Sequence, residues 1–518
     1  MKSIKDWIRE YWLILLFTIS KLGVHLITAT NYGLQRDTYL YLAQSKNLDW
    51  GYFSTPPLLA FLTRIHTLFW GDSILAIRLL PALVGTSSIF LVGVLIRQLK
   101  GGKLAQLTGM TAYLLSPAFL RPSLMLQPVM LNHLFWLLSA VVILQLIRSQ
   151  DSRKLLWLIP VLGLGWLAKY SIIFYASALL LALLFSQHRK LLWNWALPLT
   201  LAGGLLVILP NLLWQHAHNW PVFSHMNELQ ETHLGNVLLK DFLFSQLFMH
   251  LPALPVWIAG LLGLLFWKKY SEYRVFAWAF LFTLVLIILL RGKFYYTIAA
   301  YTIMVVFGAL VWEHLTAGKK WLMYLVLGLV ISNGIFVLPF SLPIYEPERM
   351  AEYGQKQAEM GLDMLLKWED GQVHHLPQDY ADMVGWDELG QKVWDFYDSL
   401  DDSIRTYTLV YGEHYGSAGA MLYHRPDENY PQVYSFNDAF MEWIPRKAEM
   451  EYMIYVGDSD NIALYFGHYI RVGEVEHPYF REKGLPIWFG SDLTPRLYAD
   501  WEEAWRGSKG RFTRKQEP

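Results

Sequence analysis

The 518-residue chain contains no cysteine and little charge for its length. Without cysteine, it has neither a disulfide scaffold nor a thiolate metal site. Charged residues make up 17% of the chain and aromatic residues 16%, whereas disordered chains are rich in charge and poor in aromatics. Basic and acidic residues both number 43, so the basic excess that is typical of nucleic-acid-binding proteins is missing.

The absence of net charge hides a division of the chain. Residues 1–340 contain 26 basic and 11 acidic residues, a net of +15. Residues 341–518 contain 17 basic and 32 acidic residues, a net of −15. The chain is therefore predicted to have two physically different parts, with the boundary near Pro339–Pro347.

Long apolar runs fill the first part and are long enough to cross a hydrocarbon core of about 30 Å. Backbone in lipid must satisfy its hydrogen bonds internally, so these runs are predicted to be helices. The fold class predicted is a mainly α, polytopic membrane protein with a C-terminal soluble α/β domain. We predict eleven spans, near residues 11–30, 74–96, 104–120, 129–147, 155–168, 170–186, 192–213, 242–266, 275–290, 295–312 and 321–340.

Two of these spans, 155–168 and 170–186, are short and could together form one helix of about 32 residues. Such a helix would greatly exceed the bilayer thickness, so two helices are the preferred interpretation. The first apolar run could instead be a cleaved signal peptide, but it lacks a clear small-x-small cleavage motif and is predicted to be retained.

Basic loops predict the orientation, since lysine and arginine favour the cytoplasmic side. A cytoplasmic N-terminus followed by eleven spans places 16 of the 26 basic residues inside and the C-terminal part outside. Nine basic residues remain at or near the outer side, against this bias, and an anion bound there would explain them. They are Arg36, Lys46, Arg64, Arg78, Arg121, Lys169, Lys240, Arg291 and Lys293.

The loop 31–72 follows the first predicted span. Near its start it contains an adjacent base and acid, Arg36 and Asp37. The apolar and tyrosine residues of 39–43 predict a short amphipathic helix in the membrane interface. An acid at the lipid–water boundary is costly unless it is paired or used, so Asp37 is a candidate functional residue. A plain Arg36–Asp37 surface pair is the alternative.

Arg36-Asp37-x-Tyr39-x-Tyr41-Leu42-Ala43, followed by Leu48-Asp49-Trp50-Gly51-Tyr52 and Pro56-Pro57-Leu58, resembles the first outer loop of bacterial family 39 glycosyltransferases. These belong to the GT-C superfamily, which includes protein O-mannosyltransferases and the aminoarabinose transferase of lipid A. Other blocks resemble the same family: Lys169-Tyr170, Pro210-Asn211 to Pro221, Gly292 to Tyr301, Tyr380 to Trp386 and Tyr411 to Ala420.

The resemblance implies an inverting transferase that moves a sugar from a polyprenyl (undecaprenyl) phosphate carrier to a hydroxyl of a glycan, lipid or protein. It implies a multi-pass protein of the bacterial inner membrane, with the reaction at the outer face and the C-terminal part in the periplasm. Asp37 matches the family's catalytic aspartate.

Further candidate residues fall into two groups. Those predicted to bind the donor's lipid phosphate are Arg36, Lys169, Arg291, Lys293, Tyr295 and Tyr296, because cations and hydroxyls stabilise phosphate. Snorkelling of Arg291 and Lys293 at a helix end is the alternative. Those predicted to face the sugar or the acceptor are Asp49, Trp50, Tyr52, Asn132, His133 and Trp220.

The chain departs from the family at two acids, having Thr38 and the Asn132-His133 region where many members have carboxylates. This weakens the argument for a metal, and no cofactor is predicted with a defined site, although a divalent metal stays possible. His216, His218, His225 and His233 share a predicted outer loop, but their spacing matches no zinc pattern.

The predicted domains are a membrane domain over 1–344, an α/β domain over 345–505 and a basic disordered tail over 506–518. Strands are predicted near 406–411, 432–436, 452–456, 469–472 and 486–489, where aromatic and β-branched residues concentrate. A lipid or sugar transporter is a less favoured function, because no repeated halves are visible. A non-catalytic relative that binds polyprenyl phosphate is another alternative.

Overall fold

The chain is largely helical. The structure, a computed structural model, describes residues 4–232, 238–447, 450–458 and 462–512. Within these ranges, seven helices are long and apolar enough to cross a membrane, which is the architecture of a multi-pass membrane protein. They are Ile8–Ile27, Ile74–Gln98, Pro128–Ser149, Ala196–Ala217, Lys268–Leu289, Phe294–Leu315 and Lys320–Ser341.

The predicted count of eleven spans is not confirmed. Helices Lys103–Leu115, Leu158–Ala168 and Ile172–Leu184 have 13, 11 and 13 residues, whereas a straight span needs about 20. The span predicted over 242–266 is a bent pair, Leu239–Phe248 and Leu251–Phe266, whose axes differ by 71° and which would count as an eighth span. Proline lacks an amide hydrogen, so Pro252 favours this break.

The chain forms two compact units, each built from separate stretches of sequence. The unit that we call the helical unit comprises Met1–Ala29, Leu75–Leu212 and Asn227–Leu342. The other, which we call the mixed unit, comprises Thr30–Ile74, Leu213–Met226 and Pro343–Pro518. The first predicted outer loop and the C-terminal part of the chain therefore belong to the same compact unit.

The helical unit buries large aromatic side chains between its helices. The indole of Trp136 is fully buried and stacks on Tyr175, with ring centres 4.7 Å apart. Buried cations are satisfied by backbone carbonyls: Lys21 Nζ donates to the Phe119 oxygen at 2.8 Å, and Arg78 donates to the Ala29 oxygen. Such pairing keeps these charges from being stranded in an apolar interior.

The mixed unit contains a five-stranded sheet, which confirms the α/β prediction. The strands are β1 Thr408–Gly412, β2 Val433–Tyr434, β3 Tyr452–Val456, β4 Phe466–Glu474 and β5 Pro486–Leu493. Their order is β2-β1-β3-β5-β4. Strand β1 pairs in parallel with β2 and β3, whereas β5 pairs antiparallel with β3 and β4.

Helices of the mixed unit surround this sheet. The last one, Pro495–Phe512, packs Leu497 and Trp501 into the apolar core beside the sheet. It stays helical through Phe512, within the segment 506–518 where disorder is predicted, and residues 513–518 lie outside the described part. The others of nine or more residues are Arg36–Lys46, Leu58–Trp70, Pro347–Gln357, Trp386–Asp398 and Tyr415–Tyr423.

The first-loop helices differ from the predicted interfacial helix. Helix Arg36–Lys46 is almost entirely buried from Thr38 to Ser45, so it is an internal helix of the mixed unit. Helix Leu58–Trp70 instead exposes an apolar stripe that includes Ile65, Leu68 and Phe69. The amphipathic surface helix of this loop is therefore the second one, four residues before the candidate span Ile74–Gln98.

Candidate functional site

Asp37 lies in the first turn of helix Arg36–Lys46. The side chain of Gln35 caps this helix, since its Oε1 accepts a hydrogen bond of 2.8 Å from the Asp37 amide. The Asp37 side chain keeps 28% of its surface exposed, while the residues from Thr38 to Ser45 are buried. A carboxylate in the first helical turn is stabilised by the positive end of the helix dipole.

Tyr415 holds this carboxylate. Its hydroxyl donates a hydrogen bond of 2.6 Å to Asp37 Oδ1. Burial and the negative charge of Asp37 raise the pKa of Tyr415 well above its usual range, so the phenol keeps its proton and remains a donor. The contact joins residues 378 positions apart in the chain.

His414 fixes the start of the helix that carries Tyr415. Its Nδ1 accepts a hydrogen bond of 3.0 Å from the Gly416 amide, which caps helix Tyr415–Tyr423. Burial lowers the pKa of His414 to about 3, and the positive charges of Arg36 and Arg481 act in the same direction. The ring is therefore neutral at physiological pH and can accept this bond.

Arg36 lies beside the Asp37–Tyr415 pair. Its Nε is 3.7 Å from Asp37 Oδ1, and its guanidinium carbon is 5.6 Å from the centre of the Tyr415 ring. A second carboxylate, that of Glu482, lies 4.0 Å from Arg36 Nη1. Burial alone would lower the pKa of Arg36, but its negative neighbours raise it overall, so the guanidinium stays charged.

Asp382 anchors the beginning of the Asp37 helix. Its carbonyl oxygen accepts a hydrogen bond of 3.0 Å from the Arg36 amide and one of 2.8 Å from Trp386 Nε1. Its buried carboxylate binds Arg481 Nη1 at 3.1 and 3.2 Å. Burial raises the pKa of Asp382 to about 6, against the opposing effect of the two arginines.

Two glycines allow helix Tyr415–Tyr423 to approach the Asp37 helix closely. A Cβ atom at Gly416 would lie 2.6 Å from Cγ of Arg36. A Cβ atom at Gly419 would lie 2.8 Å from Cβ of Tyr39 and 3.0 Å from its carbonyl carbon. The second contact involves backbone, which cannot move aside as a flexible side chain can, so Gly419 is needed for this packing.

Replacing Gly419 by valine is expected to destabilise the protein by about 1–3 kcal/mol, because the extra atoms overlap the Tyr39 backbone. Unfolding of the purified full chain, followed by intrinsic fluorescence, should show a lower midpoint. Gly507→Val is the matched control, since a Cβ atom there meets no atom within 4 Å. Equal midpoints for the two variants would contradict the proposed packing.

In the helical unit, Lys169, Lys293, Tyr295 and Tyr296 form a partly exposed cluster. Lys169 Nζ lies 5.4 Å from the centre of the Tyr296 ring and 6.0 Å from that of Tyr295. Lys293 Nζ lies 5.9 Å from the Tyr295 ring, so both lysines contact the same tyrosine. Two ammonium groups and two phenols together can bind an anion such as phosphate. Arg291, two residues before Lys293, is exposed and has a left-handed φ of 51°.

Asn211 holds the chain on both sides of Lys169. Its Oδ1 accepts a hydrogen bond of 3.0 Å from Trp166 Nε1, and its Nδ2 donates to the Tyr170 hydroxyl at 3.2 Å. Asn211 is fully buried. The Pro210-Asn211 motif therefore positions the lysine of the Lys169-Tyr170 motif.

Four residues of the mixed unit are predicted to face the sugar or the acceptor, and they differ in how exposed they are. Trp50 is 47% exposed, and Asp49 Oδ1 accepts a hydrogen bond of 2.7 Å from its amide. Trp220 is partly exposed, with a left-handed φ of 56°. Tyr52 is fully buried instead, and its hydroxyl lies 3.1 and 3.0 Å from the backbone oxygens of Gln44 and Asn47. Tyr52 thus holds the loop rather than facing solvent.

Asn132 and His133 are buried in the helical unit. Asn132 Oδ1 accepts a hydrogen bond of 2.9 Å from Trp136 Nε1. His133 Nε2 is 2.9 Å from Thr302 Oγ1, and its ring stacks on Phe119. Both side chains are buried, and each has a polar atom bonded to a protein group, which indicates a role in packing between helices.

Within the described ranges, no group of three or more histidine, aspartate or glutamate side chains is arranged to hold a metal ion. Thr38, which stands where many family members have an acid, is buried. The histidines of the predicted outer loop contact aromatic rings: His218 stacks on Trp214, and His225 lies against Phe53. His233 lies outside the described residues.

Sequence reasoning did not assign Tyr415, His414, Asp382, Arg481 or Glu482 to the site. The blocks Tyr380–Trp386 and Tyr411–Ala420 contain three of these residues and resemble family motifs. The spacing of their glycine and aromatic residues is the feature that could have indicated the site. Arg481 and Glu482 stand in a stretch without such a motif.

Comparison with known proteins agrees with the motifs. Residues 54–214 match the model of the dolichyl-phosphate-mannose-protein mannosyltransferase family. A curated relative, the lipid A galacturonosyltransferase RgtD of Rhizobium johnstonii, is 24% identical over 218 residues, which are 42% of this chain. That match spans 45% of the relative's length, less than half.

Solved structures match the whole fold. ArnT from Cupriavidus metallidurans in the apo state superposes with a TM-score of 0.64 at 13% identity, over 94% of this chain and 98% of that one. The same protein bound to undecaprenyl phosphate gives a TM-score of 0.61 at 14% identity with the same coverage. The chain therefore has the fold of ArnT, and this agrees with the resemblance that its sequence predicts.

Proposed function

We propose that this protein is an inverting glycosyltransferase that moves a sugar from a polyprenyl phosphate carrier to an acceptor hydroxyl. The observation that carries the proposal is the Asp37 carboxylate, partly exposed and held by the Tyr415 hydroxyl at 2.6 Å. A positioned carboxylate of this kind can accept a proton from a hydroxyl nucleophile.

The reaction breaks the bond between the sugar's anomeric carbon and the phosphate oxygen of the carrier. The acceptor oxygen attacks the anomeric carbon from the opposite face, which inverts its configuration, and Asp37 takes the hydroxyl proton. The lipid phosphate leaves with the bonding electron pair. Negative charge develops on this leaving group, and Lys169 and Lys293 are the groups proposed to stabilise it. Arg291, Tyr295 and Tyr296, close to Lys293 in the sequence, are proposed to assist them.

Arg36 is assigned a different role from the one predicted from the sequence. Its guanidinium lies beside Asp37, Tyr415 and Glu482, so it orients and balances the charge of the carboxylate. We propose that Asp49, Trp50 and Trp220 contribute to sugar or acceptor binding, since aromatic faces and polar groups at exposed positions suit a sugar. Tyr52, Asn132 and His133 support the fold instead.

The relatives support the choice of donor. The ArnT structure contains undecaprenyl phosphate, and RgtD is described as a lipid A galacturonosyltransferase. We propose undecaprenyl phosphate as the carrier of the donor sugar, and a hydroxyl of a glycan, lipid or protein as the acceptor. The N-terminus is proposed to be cytoplasmic and the mixed unit periplasmic, in the inner membrane.

The test is a lipidomic comparison of a strain that lacks the gene, its parent, and the deletion strain carrying the wild-type gene. The expected result is accumulation of one undecaprenyl-phosphate sugar and loss of one sugar residue from a glycan, glycolipid or glycoprotein, both reversed by the gene. Unchanged lipids and glycans in a strain that normally makes the protein would contradict the proposal.

A second assay separates catalysis from binding. The purified full chain in nanodiscs is mixed with the undecaprenyl-phosphate sugar that accumulates in the deletion strain, labelled in the sugar, and with membrane extract of that strain as acceptor. Transfer of label supports the transferase. Donor binding without transfer would indicate a non-catalytic relative, and movement of intact donor across the bilayer would indicate a flippase.

A further inference from the structure

We propose that Tyr415 is a positioning residue that orients the Asp37 carboxylate for proton transfer. This inference rests on the proposed function, because it assigns a role within the same site. It concerns a residue more than 300 positions away from Asp37, in the part of the chain that contributes the sheet of the mixed unit.

Two groups approach the same oxygen of Asp37. The Tyr415 hydroxyl donates to Oδ1 at 2.6 Å, a short bond that is typical of a donor paired with an ionised acceptor. Arg36 Nε approaches the same oxygen at 3.7 Å. These contacts restrain the carboxylate, and a base must be held in a defined orientation to accept a proton efficiently.

Tyr415 is itself held in place before any substrate binds. Its amide donates to Asn437 Oδ1 at 3.1 Å, and His414 caps the helix that it begins. The Arg36 guanidinium covers its ring, and Gly416 makes room for the Arg36 side chain. The hydroxyl therefore reaches Asp37 without losing rotational freedom in the reaction, which is the advantage of a preorganised donor.

Tyr415→Phe tests this role, because it removes only the hydroxyl and keeps the ring against Arg36. We expect kcat for transfer from the isolated undecaprenyl-phosphate sugar to fall roughly tenfold, the loss expected for one hydrogen bond to a charged group. KM for the donor should change less than about twofold, because the lost contact is to the base and not to the donor.

Tyr423→Phe is the matched control. Tyr423 lies on the same helix, and its hydroxyl donates to the Asp72 carbonyl oxygen at 2.7 Å, so the same atom and one hydrogen bond are removed away from Asp37. The control should keep the wild-type kcat. A Tyr415→Phe variant with the kcat of Tyr423→Phe would overturn the inference.

Incorporation of 3,5-difluorotyrosine at position 415 covers the case in which Tyr415→Phe folds poorly. Fluorine makes the phenol a stronger hydrogen-bond donor, so the bond to Asp37 is kept and kcat should stay within about twofold of the wild-type value. A kcat lowered roughly tenfold would overturn the inference. If the wild-type protein shows no transfer at all, the proposed function fails instead, so the two failures are distinguishable.

Discussion

Asp37→Asn is expected to lower kcat for sugar transfer by a factor on the order of 10²–10⁴, the range that general base catalysis contributes. The amide keeps the size of the carboxylate, and its oxygen can still accept the bond from Tyr415, so the fold should be retained. It cannot take the acceptor's proton at neutral pH. The measurement is single-turnover transfer of labelled sugar by the purified full chain in nanodiscs, with donor binding measured separately.

Asp395→Asn is the control for this prediction, because Asp395 is an exposed acid of helix Trp386–Asp398 in the same unit. It should transfer sugar at the wild-type rate. The Asp37→Asn variant should bind the donor with near wild-type affinity, because Asp37 is proposed to accept the proton of the acceptor hydroxyl and not to bind the donor. Wild-type transfer by Asp37→Asn would remove Asp37 from the mechanism, whatever role Tyr415 has.

Combined replacement of Lys169 and Lys293 by alanine is expected to weaken binding of undecaprenyl phosphate on the order of 100-fold. Each replacement would remove one charge-assisted hydrogen bond to phosphate, and each such bond is expected to contribute roughly tenfold to the affinity. The measurement is equilibrium binding of labelled undecaprenyl phosphate to the protein in nanodiscs. The wild-type affinity should fall with added salt, and that dependence should largely disappear in the variant.

Undecaprenol, which has the same chain without the phosphate, provides the ligand control and should bind both proteins equally. Lys319→Ala with Lys320→Ala is the matched variant, because it removes two adjacent, exposed lysines with the same change of net charge. Lys169→Arg with Lys293→Arg should regain much of the affinity. Equal loss of affinity for undecaprenol and undecaprenyl phosphate would show that the two lysines support the structure and do not bind phosphate.

The fold class could be predicted because hydrophobic length and residue type act locally. Apolar runs such as 74–96 and 129–147 correspond to the helices Ile74–Gln98 and Pro128–Ser149, and five aromatic and β-branched runs correspond to the five strands. The number of spans is harder to predict from the sequence. A run such as 242–266 is equally apolar whether it is one helix or two helices at 71°, so its hydrophobicity does not distinguish the two.

The candidate site could be predicted only in part. Asp37 was identifiable from its motif and from the cost of an acid at a membrane surface, and Lys169 and Lys293 from their position against the charge bias. The structure brings these two lysines to the same tyrosine, Tyr295. It turns Tyr52, Asn132 and His133 into the protein interior, since a motif position does not reveal which way a side chain faces.

By itself, the sequence determined the membrane class, the mixed α/β composition of the acidic part, and the candidate base. These properties follow from composition, periodicity and short motifs, which depend on neighbours in the chain. Only the tertiary structure decided that Tyr415, Asp382 and Arg481 surround the first turn of the Asp37 helix. Hydrogen bonds and ion pairs of a few ångströms depend on distances in space, and nothing in local sequence specifies a contact across 378 residues.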